Sequence, residues 1–132
     1  MIGLVLVAHG ALADEFLNAM QYVVGPQRQV ATIGLLPTDD LAKRREDILQ
    51  AIHQVDTGAG VIILTDMFGG TPSNLAISLM NTVNAEVIAG INLPMLIKIS
   101  ALRENTTLKE VVDAAEVAGK KYINVASKIL GQ

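Results

Sequence analysis

Two side chains in this sequence, His9 and Asp66, are placed to do chemistry at neutral pH. Each comes shortly after a run of apolar residues, the first run at residues 4–7 and the second at residues 61–64. A carboxylate that accepts a hydrogen bond from one ring nitrogen of a histidine fixes the tautomer and leaves the other nitrogen as a nucleophile. The pair therefore predicts a nucleophilic histidine with an orienting aspartate. A histidine that merely ends a strand, and an aspartate that caps a turn, are the non-functional interpretation of the same residues.

Asp66 is followed by a segment rich in glycine and hydroxyl groups, Gly69-Gly70-Thr71-Pro72-Ser73-Asn74. We expect Thr71 to be the N-cap of a helix with Pro72 at its first position. Unpaired N–H groups at a helix N-terminus, together with hydroxyl groups, favour the binding of phosphate oxygens. The candidate phosphoryl-binding residues are Gly10, Gly69, Gly70, Thr71 and Ser73. An ordinary capped helix that binds no anion is the alternative.

Composition argues against several other kinds of site. The chain has no cysteine, which excludes disulfides, thiolate metal sites and a cysteine nucleophile. A formal net charge of −3 and a pI near 5.2 do not fit a nucleic-acid partner. No Gly-x-Gly-x-x-Gly follows the first apolar run and no P-loop motif occurs, so we predict no nucleotide cofactor, and no metal site is evident. No stretch reaches the ~20 apolar residues that cross a bilayer, so we expect a soluble cytoplasmic protein without membrane insertion.

Apolar runs rich in β-branched residues alternate with helical periodicity along the 132 residues. The predicted strands lie at residues 4–7, 30–36, 61–64 and 86–89, with a short last strand at residues 122–126. This order predicts an α/β fold over residues 1–132, a single domain with an open, mostly parallel sheet of four to five strands and helices on both faces. Ligands bind beyond the carboxyl ends of the strands in such sheets, which is where His9 and Asp66 fall.

Capping residues predict where the helices begin and end. Thr38 or Asp39 is expected to cap the second helix, whose buried apolar face is expected to include Leu41. Thr107 is expected to open the last helix with a capping box, and Gly119 to end that helix.

Three motifs occur in order along the chain. They are His9-Gly10, Asp-x-Phe-Gly-Gly-Thr-Pro-x-Asn at residues 66–74, and Val-Ile-Ala-Gly-Ile-Asn-Leu-Pro-Met-Leu at residues 87–96. In this order they resemble the mannose-family enzyme IIA domain of the bacterial phosphoenolpyruvate:sugar phosphotransferase system. The resemblance runs from the first strand to about Ile97, and the middle motif is the specific one.

This resemblance implies that His9 accepts a phosphoryl group from the histidine phosphocarrier protein and passes it to an enzyme IIB domain. It implies that Asp66 orients His9, and that amides and hydroxyls around Thr71 and Ser73 hold the phosphoryl oxygens. It also implies a homodimer in which the C-terminal strand, residues 121–127, is exchanged between subunits and could run antiparallel. The output of such a carrier is either sugar uptake or regulation.

Three other functions stay open at the level of sequence. A small tetrapyrrole-metal chelatase also has an α/β fold with a histidine after an early strand, although the second histidine here, His53, falls in the middle of a helix. A histidine phosphatase would need an arginine beside the histidine, where this chain has Ala8. A sensor, in which phosphorylation of His9 only changes the affinity for a partner, shares the sequence features of a carrier.

Overall fold

The computed structural model describes residues 1–132 and alternates strands with helices from the N-terminus to residue 102. The strands are β1 (Gly3–His9), β2 (Val30–Leu35), β3 (Val61–Thr65) and β4 (Ala85–Ala89), and the helices are α1 (Leu12–Val24), α2 (Leu41–Val55), α3 (Thr71–Leu79), α4 (Leu93–Leu102), α5 (Leu108–Lys121) and α6 (Ala126–Leu130). The four strands form one parallel sheet in the order β2-β1-β3-β4. The predicted fold class is confirmed.

The sheet has a separate apolar core on each face. Alternate residues of β1 point to opposite sides, so Leu4 and Leu6 pack with α1, α4 and α5 while Val5 and Val7 pack with α2 and α3. Because helices cover both faces, β1 and β3 carry continuous apolar runs instead of alternating patterns. Each fully buried Val, Leu or Ile contributes roughly 1.5–3 kcal/mol relative to an exposed one.

The strand order creates a switch point between β1 and β3. The chain passes from β1 to β2 on one side of the sheet, then crosses to place β3 on the other side of β1. The connections that follow β1 and β3 therefore diverge to opposite faces, and they leave a crevice between the carboxyl ends of these two strands. The residues after β1 and β3 line that crevice.

The predicted last strand is not formed within the single chain. Residues 123–125 have no regular secondary structure, α6 follows them, and the side chains of Ile123 and Val125 are exposed. A strand needs a neighbouring strand to satisfy its N–H and C=O groups, and within one chain no strand pairs with this segment. Its apolar β-branched residues therefore favour a strand, but the single chain offers no neighbouring strand for them to pair with.

Two predicted helix boundaries also differ from the structure. Asp40 caps α2, accepting hydrogen bonds from the N–H groups of the second and third helical residues, while Asp39 closes the preceding turn by accepting from Leu36 N at 2.8 Å. Helix α5 does not end at Gly119 but continues to Lys121. The glycine instead allows α4 to approach α5 closely. A Cβ atom on Gly119 would lie 2.7 Å from Met95 Cε.

The predicted N-cap of α5 is confirmed, since the Thr107 hydroxyl accepts a hydrogen bond from Glu110 N at 3.3 Å, although the reciprocal bond of a full capping box is not formed. No helix of the fold is both long enough and apolar enough to cross a membrane.

Candidate active site between the ends of β1 and β3

His9 and Asp66 lie side by side at the crevice. His9 is the last residue of β1, and Asp66 directly follows Thr65, whose partner in the register between β1 and β3 is Val7. The His9 Nδ1 atom lies 2.7 Å from Asp66 Oδ2, and the His9 backbone N–H donates to the same oxygen at 3.0 Å. The contact that the sequence predicts is therefore formed, and one carboxylate oxygen holds both the backbone and the ring of the histidine.

The ionisation of Asp66 decides which ring nitrogen is free. Its side chain is 11% exposed, and burial by itself would raise the pKa of this carboxyl. Hydrogen bonds from the His9 backbone N–H and ring, with the attraction between the two side chains, outweigh burial and lower the pKa of Asp66 below 3.8. The carboxylate is thus ionised at neutral pH and can only accept, so the shared proton sits on His9 Nδ1. The Nε2 atom then keeps its lone pair.

The His9 ring is open to a partner. Its side chain is 50% exposed and lines a cavity of about 500 Å³ together with Leu36, Asp39, Leu41 and Thr71. Leu36 and Leu41 are 57% and 49% exposed, so the expectation that Leu41 belongs to the buried face of α2 is wrong. The sequence signal for these two exposed side chains is an apolar residue just beyond a strand end, Leu36, followed by a second one in the first turn of the next helix, Leu41.

The N-terminus of α3 faces the same crevice, and its cap differs from the prediction. Gly70 and not Thr71 is the N-cap, because the helix begins at Thr71, and Pro72 occupies the second helical position. A glycine cap has no side chain to accept from the first amides. The backbone N–H groups of Gly70 and Thr71 also have no acceptor in the chain, and no acidic side chain lies in the first turn. Such a terminus carries partial positive charge and suits an anion.

Ser73 is placed differently from the expectation that its hydroxyl faces an anion. It is fully buried, and its hydroxyl accepts from Gly69 N at 3.1 Å and donates to the Gly70 carbonyl at 2.9 Å. The hydroxyl and the Gly69 amide are therefore both used inside the loop.

Gly10 and Gly70 act through their shape. The Gly10 N–H donates to Leu35 O at 2.9 Å, so this amide is not free for a ligand, and a φ of +56° lets the chain turn sharply from β1 toward α1. Gly70 lies against the His9 ring, since a Cβ atom there would be 3.0 Å from His9 Cε1 and 3.5 Å from Nε2. The absence of a side chain at Gly70 is what allows the α3 terminus to approach the histidine.

Other polar residues singled out by the sequence lie away from this crevice or serve the fold. His53 is exposed in the last turn of α2, not in the middle of the helix as expected, and it makes no hydrogen bond to the site. Asn92, at the end of β4, accepts from Met95 N at 3.1 Å and donates to Gly119 O at 2.9 Å, so it caps α4 and ties α4 to α5.

The fold and the site define a class of protein: a parallel α/β domain with a histidine–aspartate pair and a helix N-terminus with unpaired amides at the switch point. Comparison with known proteins gives the family. Residues 3–116 match the family model described as "PTS system fructose IIA component". The chain belongs to this family of phosphotransferase-system IIA components.

Individual relatives agree with this assignment. The chain is 30% identical over 124 residues to the PTS system mannose-specific EIIAB component of Escherichia coli K12, a match that covers 92% of this chain and 38% of that protein. It is 25% identical over 131 residues to the PTS system fructose-specific EIIA component of Bacillus subtilis 168, covering 98% and 90% of the two chains. The chain thus spans well under half of the E. coli protein but nearly all of the B. subtilis one.

A solved structure shows the same fold. The phosphotransferase system component EIIA from Streptococcus agalactiae superposes with a TM-score of 0.89 at 25% identity, covering 97% of this chain and 99% of that one.

Proposed function

We propose that residues 1–132 form one mannose-type IIA domain that carries a phosphoryl group on Nε2 of His9. The group is accepted from the histidine phosphocarrier protein and passed to an enzyme IIB domain, in the cytoplasm. The observation that carries the proposal is the 2.7 Å contact of His9 Nδ1 with Asp66, which leaves Nε2 free on a half-exposed side chain beside the α3 terminus. Membership of the IIA family supports the same function.

Phosphoryl transfer at this site needs little acid–base chemistry. The Nε2 lone pair attacks the phosphorus of the donor phosphohistidine, the new P–N bond forms as the donor P–N bond breaks, and the bonding pair returns to the donor nitrogen. The His9 ring gains positive charge while Nδ1 keeps its proton, and the Asp66 carboxylate stabilises that charge. Transfer to the acceptor repeats these steps in the opposite direction, so alignment and charge balance are the main requirements.

The negative phosphoryl oxygens need donors on the protein. The free N–H groups of Gly70 and Thr71 and the exposed Thr71 hydroxyl lie on the side of the crevice next to the His9 ring. Neutral amide donors and a helix dipole stabilise the anion through hydrogen bonds and partial charge, with no covalent bond that would have to be broken before the second transfer.

Exposed apolar side chains around His9 support docking of another protein. Leu36 and Leu41 line the His9 cavity, and Met67 and Phe68, which are 56% and 73% exposed, come from the loop that carries Asp66. Apolar and aromatic side chains of this kind form the centre of protein interfaces. Both the donor and the acceptor must contact this surface. The donor must bring its phosphohistidine to Nε2, and the acceptor must bring its nucleophile to the phosphoryl group on the same atom.

We also propose that the protein is a homodimer. Exposed apolar side chains crowd the C-terminal region, where Tyr122, Ile123, Val125, Ile129 and Leu130 are each more than half exposed. The exchange of residues 121–127 between subunits stays a prediction, and it would give that segment the strand partner that a single chain does not supply. Light scattering at micromolar concentration should give twice the mass of the 14.0 kDa chain. A monomer mass would contradict the dimer.

Phosphorylation of wild type, His9→Ala and His53→Ala tests the carrier function. Each protein is incubated with phosphoenolpyruvate, enzyme I and the histidine phosphocarrier protein, and intact masses are measured before and after mild acid. We expect an acid-labile gain of one phosphoryl group in wild type and His53→Ala, and no gain in His9→Ala. A gain in folded His9→Ala would overturn the site, and no gain in wild type with active upstream proteins would overturn the function.

Adding a mannose-family IIB domain separates a carrier from a sensor. In a carrier the phosphoryl group leaves His9 and appears on the IIB domain. In a sensor it stays on His9 until it hydrolyses, so retention in the presence of several IIB domains would contradict transfer.

A further inference from the structure

Ser73 combines complete burial with two hydrogen bonds to the glycine pair beside His9. Its hydroxyl accepts from Gly69 N and donates to Gly70 O, at 3.1 and 2.9 Å. The side chain is 0% exposed, whereas the His9 side chain is 50% exposed. To donate to a phosphoryl group on His9, this hydroxyl would have to give up its bond to Gly70 O, because it has only one proton. The structure therefore separates Ser73 from direct phosphoryl binding and leaves its role to be found in the loop.

The bond to Gly70 O determines where the next amide points. Gly70 O also accepts from Asn74 N at 3.0 Å, so this carbonyl is held from two sides and directed into α3. The peptide between Gly70 and Thr71 is trans, as are all others in the chain, and the C=O and N–H of a trans peptide point in opposite directions. The Thr71 N–H is consequently directed out of the helix and into the crevice.

Gly70, which supplies the carbonyl of this peptide, lies close against the His9 ring. A Cβ atom at Gly70 would lie 3.5 Å from His9 Nε2, so the ring packs against the backbone of the loop with no side chain between them. A hydroxyl that holds Gly69 and Gly70 together thereby sets the distance and the angle between Nε2 and the Thr71 N–H.

We propose that Ser73 is a positioning residue for phosphoryl transfer, and that its buried hydroxyl holds the Gly69–Gly70 turn so that the Thr71 N–H meets the phosphoryl group on His9. This inference rests on the proposed function. A donor fixed before the reaction needs no reorganisation when charge develops. A misplacement of about 1 Å at a reacting centre can slow transfer by up to 10²-fold.

Kinetics of Ser73→Ala test the positioning role. We expect kcat for phosphoryl acceptance to fall on the order of tenfold, because the Thr71 amide is no longer fixed. The KM for the phosphorylated donor should not change, because a buried residue does not touch the docked partner. Ser100→Ala is the matched control, since Ser100 makes the same kind of bond to a carbonyl three residues earlier, Ile97 O at 2.7 Å, but on α4. A wild-type kcat in Ser73→Ala, or a raised KM with kcat unchanged, would overturn the inference.

Amide NMR on the wild-type protein gives a test that does not depend on how a variant folds. Phosphorylation should shift the Thr71 amide resonance strongly and leave the Gly69 amide nearly unchanged, because Gly69 N stays bonded to Ser73. An equal or larger shift of the Gly69 amide would show that Ser73 releases it to the phosphoryl group, and would overturn the inference while leaving the carrier function intact. A wild-type protein that is not phosphorylated on His9 would instead overturn the proposed function itself.

Discussion

The two ends of the sheet each hold a polar cluster, and the clusters differ in what they leave unpaired. At the amino end, Arg103 is 1% exposed and its guanidinium donates to four acceptors. It bonds Ile2 O at 3.0 Å, Arg28 O at 2.8 Å, Gln29 O at 3.0 Å and Gln27 Oε1 at 3.2 Å. These bonds tie α4 to the starts of β1 and β2. Nearly all of its hydrogen-bonding capacity is used within the fold.

At the carboxyl end, several hydrogen-bonding groups that face the open crevice have no partner in the chain. The proton on His9 Nδ1 is paired with Asp66, while Nε2 and the N–H groups of Gly70 and Thr71 have no partner in the chain. A polar cluster whose hydrogen bonds are all made within the fold serves stability, whereas one with unpaired groups at an exposed position is available for a ligand.

No carboxylate bonds the guanidinium of Arg103, so burial is the main influence on its pKa. All four partners of Arg103 are neutral oxygens. Burial lowers the pKa of Arg103 to about 10, so the guanidinium is still charged at neutral pH. Removing Arg103 should lower stability and leave phosphoryl transfer unchanged, whereas removing Asp66 should mainly slow phosphoryl transfer and change stability only slightly.

The largest expected effect comes from Asp66→Asn. This variant keeps the size of the side chain and an acceptor oxygen but loses the charge that holds the Nδ1 proton and stabilises the phosphorylated ring. We expect phosphoryl transfer to slow by roughly 10²- to 10⁴-fold, measured by rapid-quench transfer from the phosphorylated donor. Asp39→Asn is the control, because Asp39 lines the same cavity without a bond to His9. Equal losses in both variants would attribute the effect to general charge and not to the contact with His9.

Arg103→Met should give the next largest effect, on stability alone. Three backbone carbonyls and one side-chain amide lose a buried donor, which should lower the free energy of unfolding by roughly 2–4 kcal/mol. Urea denaturation measures this loss, and the rate of transfer per folded molecule should equal that of wild type. Arg45→Met, which removes a partly exposed arginine bonded to Ser78, should cost well under 1 kcal/mol. A slower transfer rate in folded Arg103→Met would contradict the assignment of stability to the amino end of the sheet and of chemistry to its carboxyl end.

Gly70→Ala should have an intermediate effect on rate. The added Cβ would lie 3.0 Å from His9 Cε1, and the ring cannot move freely because Nδ1 is bonded to Asp66. We expect transfer to slow by about tenfold. Gly119→Ala is crowded in the same way, with Met95 Cε at 2.7 Å, but it lies in α5 and should leave the rate unchanged. The prediction is refuted by equal rates in Gly70→Ala and wild type.

The smallest expected effect is the acid dependence of stability that Asp66 contributes. The pKa of Asp66 is lowered in the folded protein, because its hydrogen bonds with His9 outweigh burial. Its contribution, on the order of 1 kcal/mol, is complete above the ordinary value of 3.8 and is lost as pH falls through the lower folded value. The stability difference between wild type and Asp66→Asn should therefore shrink between pH 5 and pH 2 in urea titrations. A difference that grows on acidification would contradict this sign.

Local chemistry in the sequence was sufficient for much of the fold and for the two principal site residues. The apolar runs before His9 and Asp66 identified the buried strands, because a parallel strand covered on both faces must be apolar at every position. The glycine, hydroxyl and proline pattern after Asp66 identified a helix N-terminus. Thr107 identified the start of α5, because capping depends on residues only three positions apart.

Features that depend on packing between distant segments were not predictable in the same way. Gly119 has the composition of a helix stop but serves a close approach to Met95, which lies 24 positions earlier in the chain. Residues 122–126 have strand propensity, and whether they form a strand depends on a partner strand that this chain does not supply.

The sequence by itself thus determined the α/β class, the positions of His9 and Asp66 at strand ends, and the presence of an anion-suited helix terminus, since each follows from short-range patterns. Only the tertiary structure decided that β1 and β3 are neighbours, that Nδ1 and not Nε2 meets Asp66, and that Ser73 turns inward while Thr71 N–H stays free. The reason is physical: burial and hydrogen bonding depend on which segments pack together. Which donors and acceptors remain unpaired is therefore known only once the whole chain is folded.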